Sequence, residues 1–251
     1  MSDRSEDGRE VRMGRTDLAE VASVGGFFAL RTEPPPGAHG ALARVYEGGI
    51  APLTARVDKV AARLRTPERR VAASVAQLGL AARLWSIALG CAVLGDTVPD
   101  LDPERLHWDP DLTTPDDLWL AGTRTFPATA ATVREVVQYG HLVPLAEALR
   151  RDGHVSPRLL WGNAASALAG AARELAAWGD RNGRPEIAAR AHALAAELFD
   201  HRDLRATGDY GAGSFRRRSC CLHYRCPGGG LCGDCVFDRP PQRSSAGADS
   251  G

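Results

Sequence analysis

The chain has 251 residues, of which 44% are hydrophobic and 25% charged, and its formal net charge is zero. That length allows one or two domains, and the balance is that of a soluble globular protein able to bury a core. Zero net charge points to neither a nucleic acid nor a membrane surface as partner, and the basic residues, all Arg except Lys59, are spread along the chain rather than clustered with aromatics.

Residues 1–15 are polar and charged, with no apolar run of the kind that opens a secretory signal, and read as a disordered tail. From Thr16 to Leu30 the pattern predicts a short helix, then Gly25-Gly26, then Phe27–Leu30 as an extended segment. Pro34-Pro35-Pro36 places a loop over Thr32–Gly40. Leu53, Val57, Val60 and Leu64 share one face of a helix over Pro52–Leu64. Thr66-Pro67-Glu68 reads as a capped start, with Pro at the first helical position, for a helix carrying Val71, Val75, Leu78, Ala82 and Trp85 at helical period. The apolar stretch Val71–Leu94 is interrupted by Gln77 and Arg83, and the charge-free part, Leu84–Leu94, is too short to span a bilayer. The expectation is a protein with no membrane span, located in the cytoplasm. Cys91, among Leu, Ala and Val, reads as a small buried hydrophobe.

Leu106-His107-Trp108 and Leu118-Trp119-Leu120 predict short strands of a small antiparallel sheet around a turn-rich Asp/Pro segment. The acidic residues from Asp96 to Asp117 admit a carboxylate metal site, with turn and cap chemistry as the plainer reading. A helix over Ala128–Arg150 is interrupted near Gly140 and Pro144. Ser156-Pro157 starts a second, alanine-rich helix running to about Trp178, and Pro185–Phe199 forms a third. TGDYGAGS, Thr207–Ser214, reads as a glycine-rich linker. Asn163 is a candidate contact to the cysteine loop or to a substrate oxygen, or a helix-packing amide.

Five of the six cysteines follow this linker: Cys220, Cys221, Cys226, Cys232 and Cys235. Four of them form C-C-x10-C-x2-C, with Cys226 inside the gap. Cys232-Gly-Asp-Cys235 is a knuckle that aims two thiolates at one centre, with Gly233 expected to give the turn its freedom. Adjacent cysteines point apart and suit a target with width. An iron–sulfur cluster, a structural zinc, a set of disulfides and a thiol redox motif all compete on spacing. His223 is a further candidate ligand or neighbour. Arg216, Arg217, Arg218 and Arg225 flank the cysteines, where they would favour a reduced cluster, dock an acidic donor, or face water. No G-x-G-x-x-G fingerprint follows a strand, so any electrons come from a separate donor.

The stretch Cys220-Cys221-Leu222-His223-Tyr224-Arg225, followed by Pro227-Gly228-Gly229-Gly230-Leu231-Cys232-Gly233-Asp234-Cys235, resembles the C-terminus of the FhuF-like ferric siderophore reductases. Val155–Ser166, with Trp161-Gly162-Asn163, and Asp102-Pro103 leading to Leu106-His107-Trp108 are also similar to that family. The resemblance implies a [2Fe–2S] cluster on Cys220, Cys221, Cys232 and Cys235, with Cys226 as a departure. It implies a reductase that passes one electron to the iron of a hydroxamate-type siderophore and draws it from a ferredoxin or a reductase. The fold expected is α+β: predominantly helical with a small antiparallel component, a body over 16–206, a cysteine module over 207–237 and a disordered tail over 238–251.

Overall fold

The computed structural model describes residues 15–33, 40–122, 124–152 and 155–241. The Pro34–Pro36 loop lies outside these residues, as do nearly all of the first tail and most of the second. Nine helices are described: α1 (Arg15–Val24), α2 (Leu42–Tyr46), α3 (Ala51–Leu64), α4 (Arg69–Gly95), α5 (Ala130–Val133), α6 (Val143–Asp152), α7 (Pro157–Arg181), α8 (Pro185–Phe199) and α9 (Arg202–Arg205). Six short strands pair into three antiparallel two-stranded sheets. β1 (Thr97–Pro99) pairs with β4 (Thr125–Pro127), β2 (Leu106–Trp108) with β3 (Leu118–Leu120), and β5 (Gly208–Gly211) with β6 (Ser214–Arg217). The architecture is therefore mostly helical with a small antiparallel component, as expected.

The core is built on α4 and α7, which pack on each other, with α1 and α3 against α4 and α8 against α7. α4 is apolar around its whole circumference, and such a helix must be covered on every side. Ala72, Ala73, Ala76, Ala81, Ala88 and Ala92 let neighbours approach closely, and all are buried. α4 is long and apolar enough to cross a membrane, but most of that stretch is buried inside this bundle. Its charge at Arg83 is also satisfied internally. The Arg83 guanidinium, 1% exposed, pairs with Asp117 at 2.9 Å and donates to the carbonyls of Gly26 and Phe27. It therefore ties the turn that follows α1 to α4. Cys91 is buried in the core.

Several local expectations change. Gly26–Phe28 is a turn of 3-10 helix rather than extended chain, and among the described residues the pairing nearby is the isolated bridge from Arg31 to Trp119. α4 starts at Arg69, two residues beyond Pro67, with Glu68 at the cap position. The interruption near Gly140 is a π-helical stretch, Arg134–Leu142, between α5 and α6. The N–H of Val143 bonds to the carbonyl of Gln138, five residues back. A widened register is one way for a helix to pass a proline, which has no N–H and crowds the carbonyl four residues behind it. Thr207–Ser214 is not a linker. It forms most of the β5–β6 hairpin, whose Tyr210 and Phe215 stack on Phe199 of α8.

The acidic segment is occupied by ion pairs and turns. Asp100 binds Arg105 and Arg124, each at 2.9 Å, and Asp109 accepts from the N–H of Asp111. Among the described residues, no three His, Cys, Asp or Glu side chains are set to hold a single metal ion there or elsewhere.

Candidate functional site

The hairpin delivers the cysteines onto α7 and α4. Alternation along β6 turns Phe215 and Arg217 inward, and Arg216 and Arg218 outward. The outward pair bond Asp238 and Asp209, respectively. Arg225 binds Glu68 at the start of α4 at 2.7 Å. Arg217 alone of this basic group is buried, at 2% exposure.

The cysteine strand comes close to α7 because residue 162 is glycine. A Cβ there would fall well inside contact distance of Ser219 Oγ and 3.1 Å from Arg217 Nη2. The next residue, Asn163, is fully buried and bridges three elements. Its Nδ2 donates to Ser74 O at 2.9 Å and Ser74 Oγ at 3.0 Å on α4, and its Oδ1 accepts from Arg217 Nη2 at 2.6 Å. Ser74 Oγ in turn donates to the carbonyl of Cys221 at 2.8 Å. Asn163 is therefore a helix-packing amide, and it reaches the cysteine loop only through Ser74 and Arg217.

The knuckle is pinned separately. Asp234, buried between Cys232 and Cys235, pairs with Arg173 of α7 at 3.0 Å and accepts from Ser166 Oγ. Its carbonyl accepts from the N–H of Arg217 at 3.0 Å. The loop between the cysteine pairs turns at Gly228, with φ of 72°, and Gly229, where a Cβ would meet the carbonyls of His223 and Cys226. Gly233, expected to supply that freedom, has no positive φ and open space around it. His223 Nδ1 faces the carbonyl of Gly230 at 3.3 Å across the loop.

The four cysteines of the motif are free thiols gathered in one loop region, although no three of them are set around a single point as one metal ion would require. Sulfur contacts run from Cys220 to Cys221 to Cys232, and Cys235 lies in Coulombic range of Cys220 and Cys232. Hydrogen bonds from the Cys220 and Cys232 thiols, with the nearby Arg217 charge, pull Cys221 well below the ordinary thiol range. Cys220 and Cys232 are pushed up, because each donates to that thiolate and is partly buried. Backbone N–H groups aim at the sulfurs: Leu222 at Cys220 (3.2 Å), Phe237 at Cys235 (3.4 Å) and His223 at Cys221. Cys226 is buried in the same loop but is not among the groups acting most strongly on these three thiols.

Does this donor set fit an iron–sulfur group? Four soft thiolate donors with backbone N–H groups directed at sulfur are what such a cluster requires. The decisive observation is Arg217. Its Nε and Nη1 are buried and have no hydrogen-bond partner among the described residues. A buried guanidinium left in that state is costly unless an anion faces it. A thiolate-ligated [2Fe–2S] group is such an anion, and the residues present fit it.

Comparison with known families agrees. The FhuF 2Fe-2S C-terminal domain matches residues 217–237, and the family described as ferric iron reductase FhuF-like transporter matches residues 95–206. No curated protein matches the chain. In the sequence Arg217 is one of four arginines flanking the cysteines, and Asp234, Arg173 and Ser74 are not candidates there. The alternation of Phe215 and Arg217 was the available signal for the first, and the C-G-D-C knuckle for the second. The two matches together cover more than half of the chain, which belongs to the FhuF-like ferric iron reductase family and carries its [2Fe–2S] domain.

Proposed function

We propose that this oxidoreductase reduces the ferric iron of a siderophore in the cytoplasm, and that Cys220, Cys221, Cys232 and Cys235 hold its [2Fe–2S] cluster. The cluster, when bound, supplies one electron at a time. Fe(III) is a hard cation matched to oxygen ligands, and Fe(II) is held by them less tightly, so one electron loosens the metal. The protein's own residues set the conditions for this. Asn163 and Ser74 fix the first cysteine pair against α4 and α7, and Asp234 with Arg173 fixes the second. Arg217 is the internal counter-ion, its free N–H groups favouring extra negative charge at the sulfurs.

The observation that carries this reading is the buried Arg217, two of whose guanidinium nitrogens have no partner among the described residues, beside the cysteines of the motif. The substrate is taken to be a hydroxamate-type chelate, and the electron to come from a separate ferredoxin or reductase. Anaerobic mixing of the reduced protein with a ferric trihydroxamate, in the presence of a chromogenic Fe(II) trap, tests it. Trapped Fe(II) should appear in step with recovery of the visible band of the oxidised cluster. Iron that stays ferric while the protein stays reduced defeats the proposal.

A further inference from the structure

A groove of about 440 Å³ opens beside the second cysteine pair. That volume lies within the range of small-molecule sites, roughly 300–1,000 Å³. One wall is the turn after α1, with Phe27; the floor is α4 and the small residues of α7 around Gly170; the far wall is Cys232–Asp234. Phe27 is 43% exposed, an unusual state for a large aromatic ring. Arg83 holds the backbone on which it stands, donating to the Gly26 and Phe27 carbonyls. A somewhat larger cleft, about 500 Å³, lies along β5. No cysteine lines it, and its Arg205 and Arg218 are paired with Asp200 and Asp209.

The charges around the groove define its ligand. Arg173 is paired with Asp234. Glu174 is exposed and has no ion-pair partner among the described residues. The side chains lining the groove thus carry one net negative charge, in a site that also borders an anionic cysteine centre. A tri-anionic iron complex, such as a tricatecholate, meets like charge on both sides. A trihydroxamate balances Fe(III) with three single charges and is neutral, or cationic if its chain carries an amine. Its hydrocarbon arms suit the apolar floor and Phe27.

We propose that this groove docks the ferric chelate and that Cys232, which forms its wall, is where the electron leaves the protein. The proposal rests on the reductase reading above and adds the place of the substrate and the exit of the electron. The electron balance is one for one: the reduced centre loses an electron and chelated Fe(III) becomes Fe(II).

Gallium(III) mimics Fe(III) but takes no electron under these conditions, so it reports docking without chemistry. Calorimetry of the oxidised, cluster-loaded protein with the gallium complex of desferrioxamine B, a cationic trihydroxamate, is the test. At Gly170 an added Cβ would meet no atom closer than Arg173 Nη2 at 3.9 Å, so Gly170→Leu fills the groove without backbone conflict. Gly170→Leu and Phe27→Ala should each weaken binding, the first by at least tenfold and the second several-fold, with the cluster spectrum unchanged. Arg205→Ala, in the other cleft, should bind within twofold of the wild type. Groove variants that bind within twofold of the wild type, or a wild type that binds no gallium trihydroxamate at millimolar concentration, overturn the site. If the wild type releases Fe(II) and the groove variants bind normally, only the groove assignment falls. If the wild type releases none, the reductase reading falls, whatever the calorimetry shows.

Discussion

Replacing Arg217 with Met removes a buried cation while keeping most of its apolar bulk. Two of its donors, Nε and Nη1, have no partner among the described residues, and the third nitrogen is held by Asn163 at 2.6 Å. A hydrogen bond to a charged group is worth about 1.5–3 kcal/mol, so the two free donors facing an anion contribute roughly 3–6 kcal/mol. Reduction takes a thiolate-ligated [2Fe–2S] group from two negative charges to three. The interaction with a fixed cation then grows by about half, or ~1.5–3 kcal/mol on the same scale. For a one-electron couple 1.4 kcal/mol corresponds to about 59 mV, so Arg217→Met should lower the midpoint potential by roughly 60–130 mV. Arg217→Lys keeps the charge but loses the fork, and should fall between. An anaerobic redox titration followed by the visible band and by electron paramagnetic resonance reads both shifts. A fully loaded Arg217→Met protein whose potential stays within about 20 mV of the wild type would refute the counter-ion argument and the scale it rests on.

Further predictions follow from the packing around the site. Gly162→Ala should be tolerated at about 1 kcal/mol, because Ser219 Oγ can rotate away, whereas Gly162→Val should cost about 3 kcal/mol and impair cluster loading; equal melting temperatures for the two variants would contradict this. Asn163→Leu strips partners from Ser74 O and Arg217 together and should destabilise the protein by about 3 kcal/mol, read by urea denaturation, with faster cluster loss to a chelator. Burial holds the His141 imidazole down at about 4, so it stays neutral in the fold while the unfolded chain takes up a proton below about 6.5. Its contribution is therefore full above that pH and lost as pH falls toward 4: stability should drop by about 2 kcal/mol between pH 7 and pH 5, and His141→Gln should flatten that slope. A wild-type slope of zero in that window would contradict the buried neutral state.

The parts of this protein legible in its sequence are those where one local rule dominates. Pro185–Phe199 has an uninterrupted helical period and a proline start, and its helix has those limits. Leu106–Trp108 and Leu118–Leu120 are apolar runs bounded by turn residues, and they pair as expected. The cysteines were visible because their spacing is a chemical requirement. What was hidden depends on tertiary context. Phe27–Leu30 has the composition of a strand, but no neighbouring edge pairs with it as a ladder, and the carbonyls of Gly26 and Phe27 go to Arg83 instead. Thr207–Ser214 looked like a linker because its glycines mask a hairpin whose stability comes from aromatic packing on Phe199. Arg217 was one member of a basic run until the strand's alternation separated it from its neighbours. The Trp161-Gly162-Asn163 segment carries part of the family resemblance, and its reason is physical: a residue without a side chain where two elements touch, followed by an amide that ties both to α4.

The central claim is that the sulfurs of Cys220, Cys221, Cys232 and Cys235, and not that of Cys226, hold the [2Fe–2S] group. Electron paramagnetic resonance of the dithionite-reduced protein, carried through serine replacements at each of the five positions, tests it most directly. The account predicts the wild-type signal in Cys226→Ser and a lost or altered signal in each of the other four. Loss of the signal in Cys226→Ser, with one of the four replacements leaving it unchanged, would contradict it.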